Sequence, residues 1–316
     1  MRGKRSRHSP SLTCLLIAGA AVLTAGCAVR DVEDTLGGWF DSPTPGPALG
    51  AAMLPHYHVG DSFSYDNGRV ETVVAVDGDR VSWKNDRGFA FTAYYNPILP
   101  RLTWESKKRK GKLEDLTAAP STLWPLEVGK ETKFSYSSTV VEKETGTRKA
   151  YGYTFDCRVT DTRAVTVPAG TFDTYRINCY RNQRISGRYF GARSWYYAPA
   201  IGHFVLREDV YRSKNRQSRR VALQSVLPSL AGLGANGRSR LDSAVQGALE
   251  KLTSGKAKAW ESGDGAYRGS VTPLRTFKTS KGLFCRDYRV TVTAHGRTGS
   301  YDRTACRSAE GAWEPV

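Results

Sequence analysis

The fold is decided by the stretch Val70-Glu71-Thr72-Val73-Val74-Ala75-Val76-Asp77-Gly78-Asp79-Arg80-Val81-Ser82-Trp83-Lys84. Two segments rich in β-branched and aromatic residues flank an Asp-Gly pair, which is a strong signal for a tight turn between antiparallel strands. Similar segments continue from about residue 54 to 226, and no sustained helical pattern appears before residue 238. The sequence therefore predicts a mainly β protein, with an antiparallel sheet at 54–228 that is curved or closed into a barrel.

A small α+β domain is predicted to follow at 240–316, after a linker at 229–239 in which prolines and glycines interrupt the pattern. Ser239 and Asp242 resemble a helix capping box, which places the start of one amphipathic helix at this point. Apolar residues then recur at helical spacing, and we expect them to pack on a small sheet. These residues are Leu241, Ala244, Val245, Ala248, Leu249 and Leu252.

The N-terminus carries a positive segment, a short apolar run at residues 12–23 and then Leu23-Thr24-Ala25-Gly26-Cys27. The apolar run is too short to span the ~30 Å of a bilayer core. This region resembles a bacterial lipoprotein signal peptide, and the resemblance implies that residues 1–26 are removed and that Cys27 is acylated. Ala28 is not the Asp that would resemble an inner-membrane retention signal, so the implied location is the outer membrane, on its periplasmic face or at the cell surface.

Residues 27–53 contain several glycines and prolines and little periodic apolar content, so we expect a flexible tether. The 316-residue chain has a formal charge of +17, which becomes +13 when the four basic residues of the signal are removed. With 40% hydrophobic residues the chain can build two domain cores.

Four cysteines remain when Cys14 and Cys27 are set aside, an even number that favours two disulfides in an exported protein. Three connectivities are open, and the turns favour local pairing. Cys157 and Cys179 flank a hairpin turn at 168–170 and come within two or three residues of facing each other. A two-residue turn at 295–296 pairs residues whose numbers sum to 591, which places Cys285 opposite Cys306.

Two stretches resemble known families. Val167-Pro168-Ala169-Gly170-Thr171-Phe172-Asp173-Thr174-Tyr175, followed by Trp195-Tyr196-Tyr197-Ala198-Pro199, is similar to an uncharacterised family of exported bacterial β-domains. Val271-Thr272-Pro273, Cys285-Arg286-Asp287-Tyr288, Ala305-Cys306-Arg307 and Gly311-Ala312-Trp313 resemble the C-terminal domain of the seventeen-kilodalton outer-membrane surface-antigen lipoproteins. The second resemblance implies an envelope lipoprotein known as an antigen, not as a catalyst.

Two basic clusters are candidate contacts for anionic lipids or glycolipids, because a tethered domain is held beside the membrane. The alternative is that each is a solvated loop or strand edge, and nucleic acid is not an expected partner in this compartment. The first cluster comprises Lys107, Lys108, Arg109 and Lys110, and the second comprises Arg212, Lys214, Arg216, Arg219 and Arg220.

Catalysis is not expected, because no nucleophile elbow, phosphate loop or nucleotide fingerprint occurs. His56, His58 and His203 would be the ligands of a three-histidine zinc site, but their spacing does not support one, and we predict no metal and no cofactor. A metal-dependent hydrolase is therefore a minor alternative.

Aromatic residues in the β-domain either fill its core or surround a cavity for an apolar ligand. They include Tyr94, Tyr95, Trp104, Trp124, Trp195, Tyr196 and Tyr197. The sequence thus predicts an outer-membrane-anchored lipoprotein with a structural, antigenic or adhesive role. The alternative is a periplasm-facing module that binds lipid or an anionic glycolipid.

Overall fold

The computed structural model describes residues 46–213, 215–280 and 282–316, which form one compact unit. Twelve antiparallel strands close into a barrel in which consecutive strands pair and the last strand pairs with the first. They are β1 Ser62–Tyr65, β2 Val70–Asp77, β3 Arg80–Asn85, β4 Ala90–Tyr94, β5 Thr103–Glu105, β6 Arg109–Leu116, β7 Glu131–Glu142, β8 Arg148–Val167, β9 Gly170–Gln183, β10 Tyr189–Ala198, β11 His203–Tyr211 and β12 Arg219–Leu227. The prediction of a mainly β, barrel-like domain is confirmed.

A helix and a five-stranded antiparallel sheet follow the barrel, as predicted. They are α1 Ala235–Lys251, β13 Lys258–Glu261, β14 Arg268–Lys278, β15 Phe284–Ala294, β16 Arg297–Arg307 and β17 Trp313–Pro315. Leu241, Ala244, Ala248 and Leu249 of α1 are buried against the sheet. This apolar stripe is the one that helical spacing predicted.

The start of α1 differs from the prediction. Gly234 is the N-cap, no side chain caps the helix, and Ser239 lies inside the first turns. The predicted capping box is therefore wrong, and the helix takes up the last five residues of the predicted linker. Leu233 precedes the cap and is buried in the same core. Its burial places the chain against the sheet before residue 239, so the helix begins earlier than the sequence pattern predicted.

Hairpin registers set the positions of both disulfides. Ala294 pairs with Arg297 across the turn, so Cys285 directly faces Cys306, and these two cysteines are bonded. On β8 and β9, a register shift after Val159 brings Cys157 directly opposite Cys179, and this second bridge is also present. The predicted local connectivity is confirmed, and a β-bulge supplies the shift that simple counting missed.

The segment before β1 is more ordered than the predicted tether at 27–53. Ala52 is 4% exposed and pairs with Leu126 through two backbone hydrogen bonds. The hydroxyl of Tyr175 donates to the carbonyls of Leu49 and Gly50 at 3.0 and 2.8 Å. Residues 46–53 therefore lie against the barrel, because buried polar groups of the barrel form hydrogen bonds with the backbone of this segment. The rest of the predicted tether lies outside the described residues.

One arginine joins the barrel to the C-terminal sheet. Arg297, at the start of β16, donates to the carboxylate of Asp61 and to the backbone carbonyls of His56 and Ile201. Close packing at Gly299 supports the same contact, since a Cβ at this position would lie 1.7 Å from the carbonyl oxygen of Val226. Because Asp61 precedes β1 and Ile201 lies between β10 and β11, the sheet contacts the end of the barrel where the odd-numbered strands begin.

No helix among the described residues is long and apolar enough to cross a membrane.

Candidate functional site

The interior of the barrel is not completely filled. A cavity of about 410 Å³ lies among aromatic side chains and arginines, and Trp83, Phe91, Trp104 and Trp195 form part of its wall. Glycine at position 111 makes room for one of these rings, because a Cβ there would lie 2.2 Å from Nε1 of Trp104. The cavity is the main candidate site.

Some of the predicted aromatic residues line this cavity and others fill the core. Tyr94, Tyr95, Trp104 and Trp195 belong to the lining. Tyr197 instead packs edge-on against Trp124, with ring centroids 5.8 Å apart, and its hydroxyl donates to the carbonyl of Met53 at 3.2 Å. Part of the predicted aromatic set thus packs in the core and part lines a cavity.

Charged residues distinguish this cavity from a pocket for an apolar ligand. Besides Arg219 at the exposed start of β12, four arginines come from separate parts of the wall, and one more, Arg181, supports these four from β9. The four are Arg69 before β2, Arg101 before β5, Arg193 on β10 and Arg207 on β11. None of the five was among the residues that the sequence singled out.

Asp209 is shared by three of these arginines. Its carboxylate is 2% exposed and lies 2.5 Å from Nε of Arg193, 3.3 Å from Arg181 and 3.4 Å from Arg207. Burial by itself would raise the pKa of Asp209, but the neighbouring guanidinium groups outweigh it and lower the pKa below its usual value. Asp209 is therefore a fixed negative charge that orders the three arginines.

The other two arginines are less well compensated. Arg69 lies 3.4 Å from the buried carboxylate of Glu71. No carboxylate in the described part of the chain lies within ion-pair distance of Arg101. Burial is the largest cause that lowers the pKa of Arg101 to about 10; the negative charge of Glu71 opposes this decrease, and the positive charges of Arg69 and Arg193 add to it. Burial likewise lowers the pKa of Arg207 to about 10, with Arg193 the next cause.

Aromatic rings hold four guanidinium groups in place. Arg101 lies over Phe91 and Phe89, with its guanidinium carbon 4.2 and 4.8 Å from the ring centroids. The corresponding distances are 4.8 Å for Arg69 over Tyr65, 5.3 Å for Arg193 over Trp195 and 5.9 Å for Arg207 over Phe204. Such contacts fix the orientation of a cation without neutralising it.

The interior is therefore positively charged. Arg181 and the four arginines of the wall face two carboxylates, Glu71 and Asp209, so three positive charges are left over, and Arg219 adds a fourth where the cavity meets the rim. The Nε–H groups of Arg69, Arg181 and Arg207 are buried and have no hydrogen-bond partner among the described residues. For Arg69 and Arg207 this Nε lies 3.4 Å from a carboxylate oxygen of Glu71 or Asp209, which is an ion pair without a hydrogen bond. An anion in the cavity would add to this incomplete compensation of the positive charge.

His203 lies beside the cavity and has both ring nitrogens engaged. The hydroxyls of Tyr57 and Tyr65 lie 2.8 Å from Nδ1 and Nε2. Burial, with smaller contributions from Arg297 and Arg69, lowers the pKa of His203 well below its usual value, so the imidazole is neutral. One tyrosine therefore donates to the ring and the other accepts from it.

The three histidines considered as zinc ligands are not brought together. His58 stacks on His295 with ring centroids 4.0 Å apart, whereas His203 is engaged with tyrosines and His56 contributes its backbone carbonyl to Arg297. In the described ranges, no group of three His, Cys, Asp or Glu side chains is arranged to hold a metal ion.

The predicted basic clusters lie at one end of the barrel. Lys107 and Lys108 connect β5 to β6, and Arg212 and Arg216 lie between β11 and β12. All connections from an odd-numbered strand to the next even-numbered strand meet at this end, which we call the basic rim. It is opposite the end that contacts the C-terminal sheet.

Most members of the two clusters are solvated, as in the simpler interpretation. Arg109 lies 3.8 Å from Glu142, and Arg220 lies 3.8 Å from Asp66. Arg216 lies over the rings of Phe190 and Tyr211. Arg219 lines the cavity and so links it to the rim. Lys110 is an exposed residue of β6, and Lys214 and Cys27 lie outside the described residues.

The described chain is thus a β-barrel with a cationic cavity, joined to a small α+β domain, and the comparisons bear on its C-terminal part. Residues 247–314 match the family model described as 17 kDa outer membrane surface antigen. The 17 kDa surface antigen of Rickettsia bellii is 35% identical over 86 residues, which are 27% of this chain and 54% of that protein. The corresponding protein of Rickettsia prowazekii is 37% identical over 79 residues, 25% of this chain and 50% of that protein. The chain spans about half the length of the curated relatives it matches, and the predicted C-terminal resemblance is confirmed.

Two solved structures align with the chain at low similarity. The hypothetical lipoprotein YmcC from Escherichia coli K12 covers 53% of this chain and 84% of its own, with 6% identity and a TM-score of 0.37. The alignment with an exported protein of YmcC-like fold from Bacteroides fragilis covers 56% of this chain and 100% of that protein, with 13% identity and a TM-score of 0.36.

Proposed function

We propose that this protein is a non-catalytic lipoprotein of the bacterial outer membrane, anchored through an acylated Cys27, with a structural, antigenic or adhesive role. The observation that carries the proposal is the match of residues 247–314 to the outer membrane surface antigens. The Leu23–Cys27 motif supports the anchor. The two disulfides support an oxidising compartment outside the cytoplasm.

The chemistry of the cavity supports a non-catalytic role. General acid and base catalysis needs a group that can exchange a proton near neutral pH. Asp209 is held ionised by three arginines, and the neutral His203 uses both nitrogens in hydrogen bonds to tyrosines. These two groups are arranged to hold structure, and the arginines around them are suited to binding.

Membrane fractionation of a Cys27→Ser variant tests the anchor. We expect the wild-type protein in the outer-membrane fraction and the variant in the soluble periplasmic fraction, because only the acyl chains attach the folded body. A Cys14→Ser variant is the matched control and should fractionate like the wild type. Retention of Cys27→Ser in the membrane would contradict the proposal.

The face on which the body is displayed needs a second measurement. Digestion of intact cells by a membrane-impermeant protease would support a surface antigen or adhesin. Protection until the outer membrane is permeabilised would support the alternative, a periplasm-facing module that binds lipid or an anionic glycolipid.

The barrel cavity and the basic rim favour this binding module as a second function. Mass spectrometry of the intact protein, extracted under native conditions, tests it by looking for a molecule that remains bound. Absence of any bound or bindable ligand would leave only the structural role.

A further inference from the structure

We propose that the barrel cavity is a binding site for a phosphate group carried on a small polar body such as a sugar, with Arg69, Arg101, Arg193 and Arg207 as its donors. The inference rests on the second function above, that the barrel is a binding module. It moves the anion site from the surface lysines and arginines suggested by the sequence to the interior of the barrel.

The first argument is the excess of positive charge around an open volume. Arg101 has no carboxylate within ion-pair distance in the part of the chain that the structure describes. Arg69 and Arg207 direct Nε towards Glu71 and Asp209, each at 3.4 Å and without a hydrogen bond. Arg101 therefore supplies most of the positive charge that the protein itself does not pair. Buried charges are ordinarily paired, so an anion is the ligand class that completes this site.

The second argument is the direction from which the donors come. Arg69 and Arg101 lie on the part of the wall formed by β2 to β5, whereas Arg193 and Arg207 lie on β10 and β11. A planar carboxylate is best matched by one or two guanidinium forks in its own plane. A tetrahedral phosphate offers oxygens in several directions, which suits donors that converge from separate walls.

The third argument is pre-organisation. Each of the four arginines lies over an aromatic ring, and Asp209 fixes Arg193 and Arg207 further. Side chains ordered in advance lose less conformational entropy when the ligand binds. An aromatic ring orients a guanidinium group without using its N–H groups as hydrogen-bond donors.

The size and polarity of the cavity indicate what carries the phosphate. A volume of about 410 Å³ is near the lower end of the ~300–1,000 Å³ of small-molecule sites. It accommodates a headgroup-sized molecule, not several acyl chains. Trp104, which is half-buried in the wall, offers an aromatic surface to a sugar ring, whereas Trp195 is buried beneath Arg193.

The basic rim gives the ligand a route of entry. Tyr151 and Arg219 line the cavity and lie near the first residues of β8 and β12. Both strands begin at the rim, so the cavity reaches it. The lysines and arginines around that opening would attract an anion from solution or from a membrane surface.

Isothermal titration calorimetry with the soluble Cys27→Ser protein in 150 mM NaCl tests the proposal. The probes are glucose 1-phosphate, neutral glucose, glucuronate, and vesicles of phosphatidylcholine with or without a phosphatidic acid component. The variants are Arg101→Gln and, as a control with the same change in charge, Arg158→Gln on the exposed face of β8, which is ion-paired with Glu131 at 3.3 Å.

We expect glucose 1-phosphate to bind the wild type and Arg158→Gln equally and to bind Arg101→Gln about 10- to 100-fold more weakly, the loss typical of a hydrogen bond to a charged group. Binding of glucose 1-phosphate would identify a soluble phosphorylated ligand. Binding only to vesicles that contain phosphatidic acid, with the same dependence on Arg101, would identify a lipid headgroup and would equally support a phosphate site.

Three results would overturn the inference. Equal weakening by Arg101→Gln and Arg158→Gln would show non-specific attraction to a basic protein. Binding of glucuronate or glucose in preference to glucose 1-phosphate would leave the binding module in place and refute its phosphate specificity. If no probe binds and native mass spectrometry finds no bound molecule, both the inference and the second proposed function fail.

Discussion

Replacing Arg101 with methionine is expected to stabilise the ligand-free protein. In the folded protein burial is the main cause that lowers the pKa of Arg101 from its usual value to about 10. A decrease of this size means that keeping Arg101 charged lowers the free energy of unfolding by roughly 3 kcal/mol. The side chain is partly exposed, so screening by water reduces the penalty to roughly 2 kcal/mol. Arg101→Met removes it while keeping a long apolar stem beside Phe91.

Two opposing terms reduce the gain. The variant loses the contacts of the guanidinium with Phe89 and Phe91, which are worth ~0.5–1 kcal/mol each at a partly exposed site. Methionine recovers part of this through packing. We therefore expect the free energy of unfolding to rise by about 1 kcal/mol, with an increase in Tm of ~2–4 °C for a domain of this size.

The sign of the pH dependence is fixed by the same pKa values. The pKa of Arg101 is about 10 in the folded protein and higher in the unfolded chain, and both values lie far above neutrality. The penalty is therefore complete below about pH 10 and decreases only as the pH rises from there towards the pKa of the unfolded chain. The difference between variant and wild type should thus be constant from pH 7 to 9.

Urea denaturation followed by tryptophan fluorescence measures the effect, with the anchor removed by Cys27→Ser in every variant. Arg158→Met is the control, and its free energy of unfolding should change by less than ~0.5 kcal/mol, as for most surface substitutions. Destabilisation of Arg101→Met by more than 1 kcal/mol would refute the reasoning, because it would mean that the folded protein already compensates the charge.

Three further predictions concern stability. The free energy of unfolding should fall below about pH 6.5 by up to ~1.4 kcal/mol per pH unit, because position 203 binds a proton in the unfolded chain while buried His203 stays neutral in the folded protein. The same measurement on His203→Asn should lack this part of the pH dependence. Arg297→Met should cost ~3–5 kcal/mol in urea denaturation by leaving buried Asp61 unpaired, and an added Asp61→Asn should recover part of the loss, whereas no recovery would argue against the pair. Replacing Cys285 and Cys306 with alanine should cost about 3 kcal/mol for a loop closed across 21 residues, and an unchanged thermal melt would contradict this estimate.

Local pattern was enough to predict the β class, both disulfides and the helical stripe. The turn at 295–296 determined that Cys285 faces Cys306, because in an antiparallel hairpin the turn sets the register of every later pair. The same counting left Cys157 and Cys179 slightly offset, since a bulge after Val159 is not visible in the alternation of residue types.

The ordered segment at 46–53 and the early start of α1 show the opposite case. Glycine and proline content indicated a tether, but Tyr175 and Leu126, more than seventy residues away in sequence, supply the hydrogen bonds that hold this segment. Similarly, tertiary burial of Leu233 and the N-cap at Gly234 outweighed the capping signal at Ser239. In both cases distant contacts overrode local preference.

A signal for the candidate site was present but weak. Arg193 shares its strand face with Trp195 and Tyr197, and Arg207 shares its face with Asp209, so charged residues stand at positions that alternation directs inwards. Charged residues near strand ends are common, and nothing in the sequence relates Arg69 and Arg101 to β10 and β11. The sequence instead drew attention to consecutive lysines and arginines, which the structure places mainly at the solvated rim.

The sequence by itself determined the β class, the helix, the pairing of four cysteines and the similarity of the C-terminal part to surface antigens, because each depends on neighbouring residues or on a contiguous motif. Only the tertiary structure decided that the barrel closes, that a cavity remains inside it and that arginines from separate strands surround it. Closure brings together arginines up to 150 positions apart, from Arg69 to Arg219, and the burial that makes the charges in the wall significant exists only when the whole wall is formed.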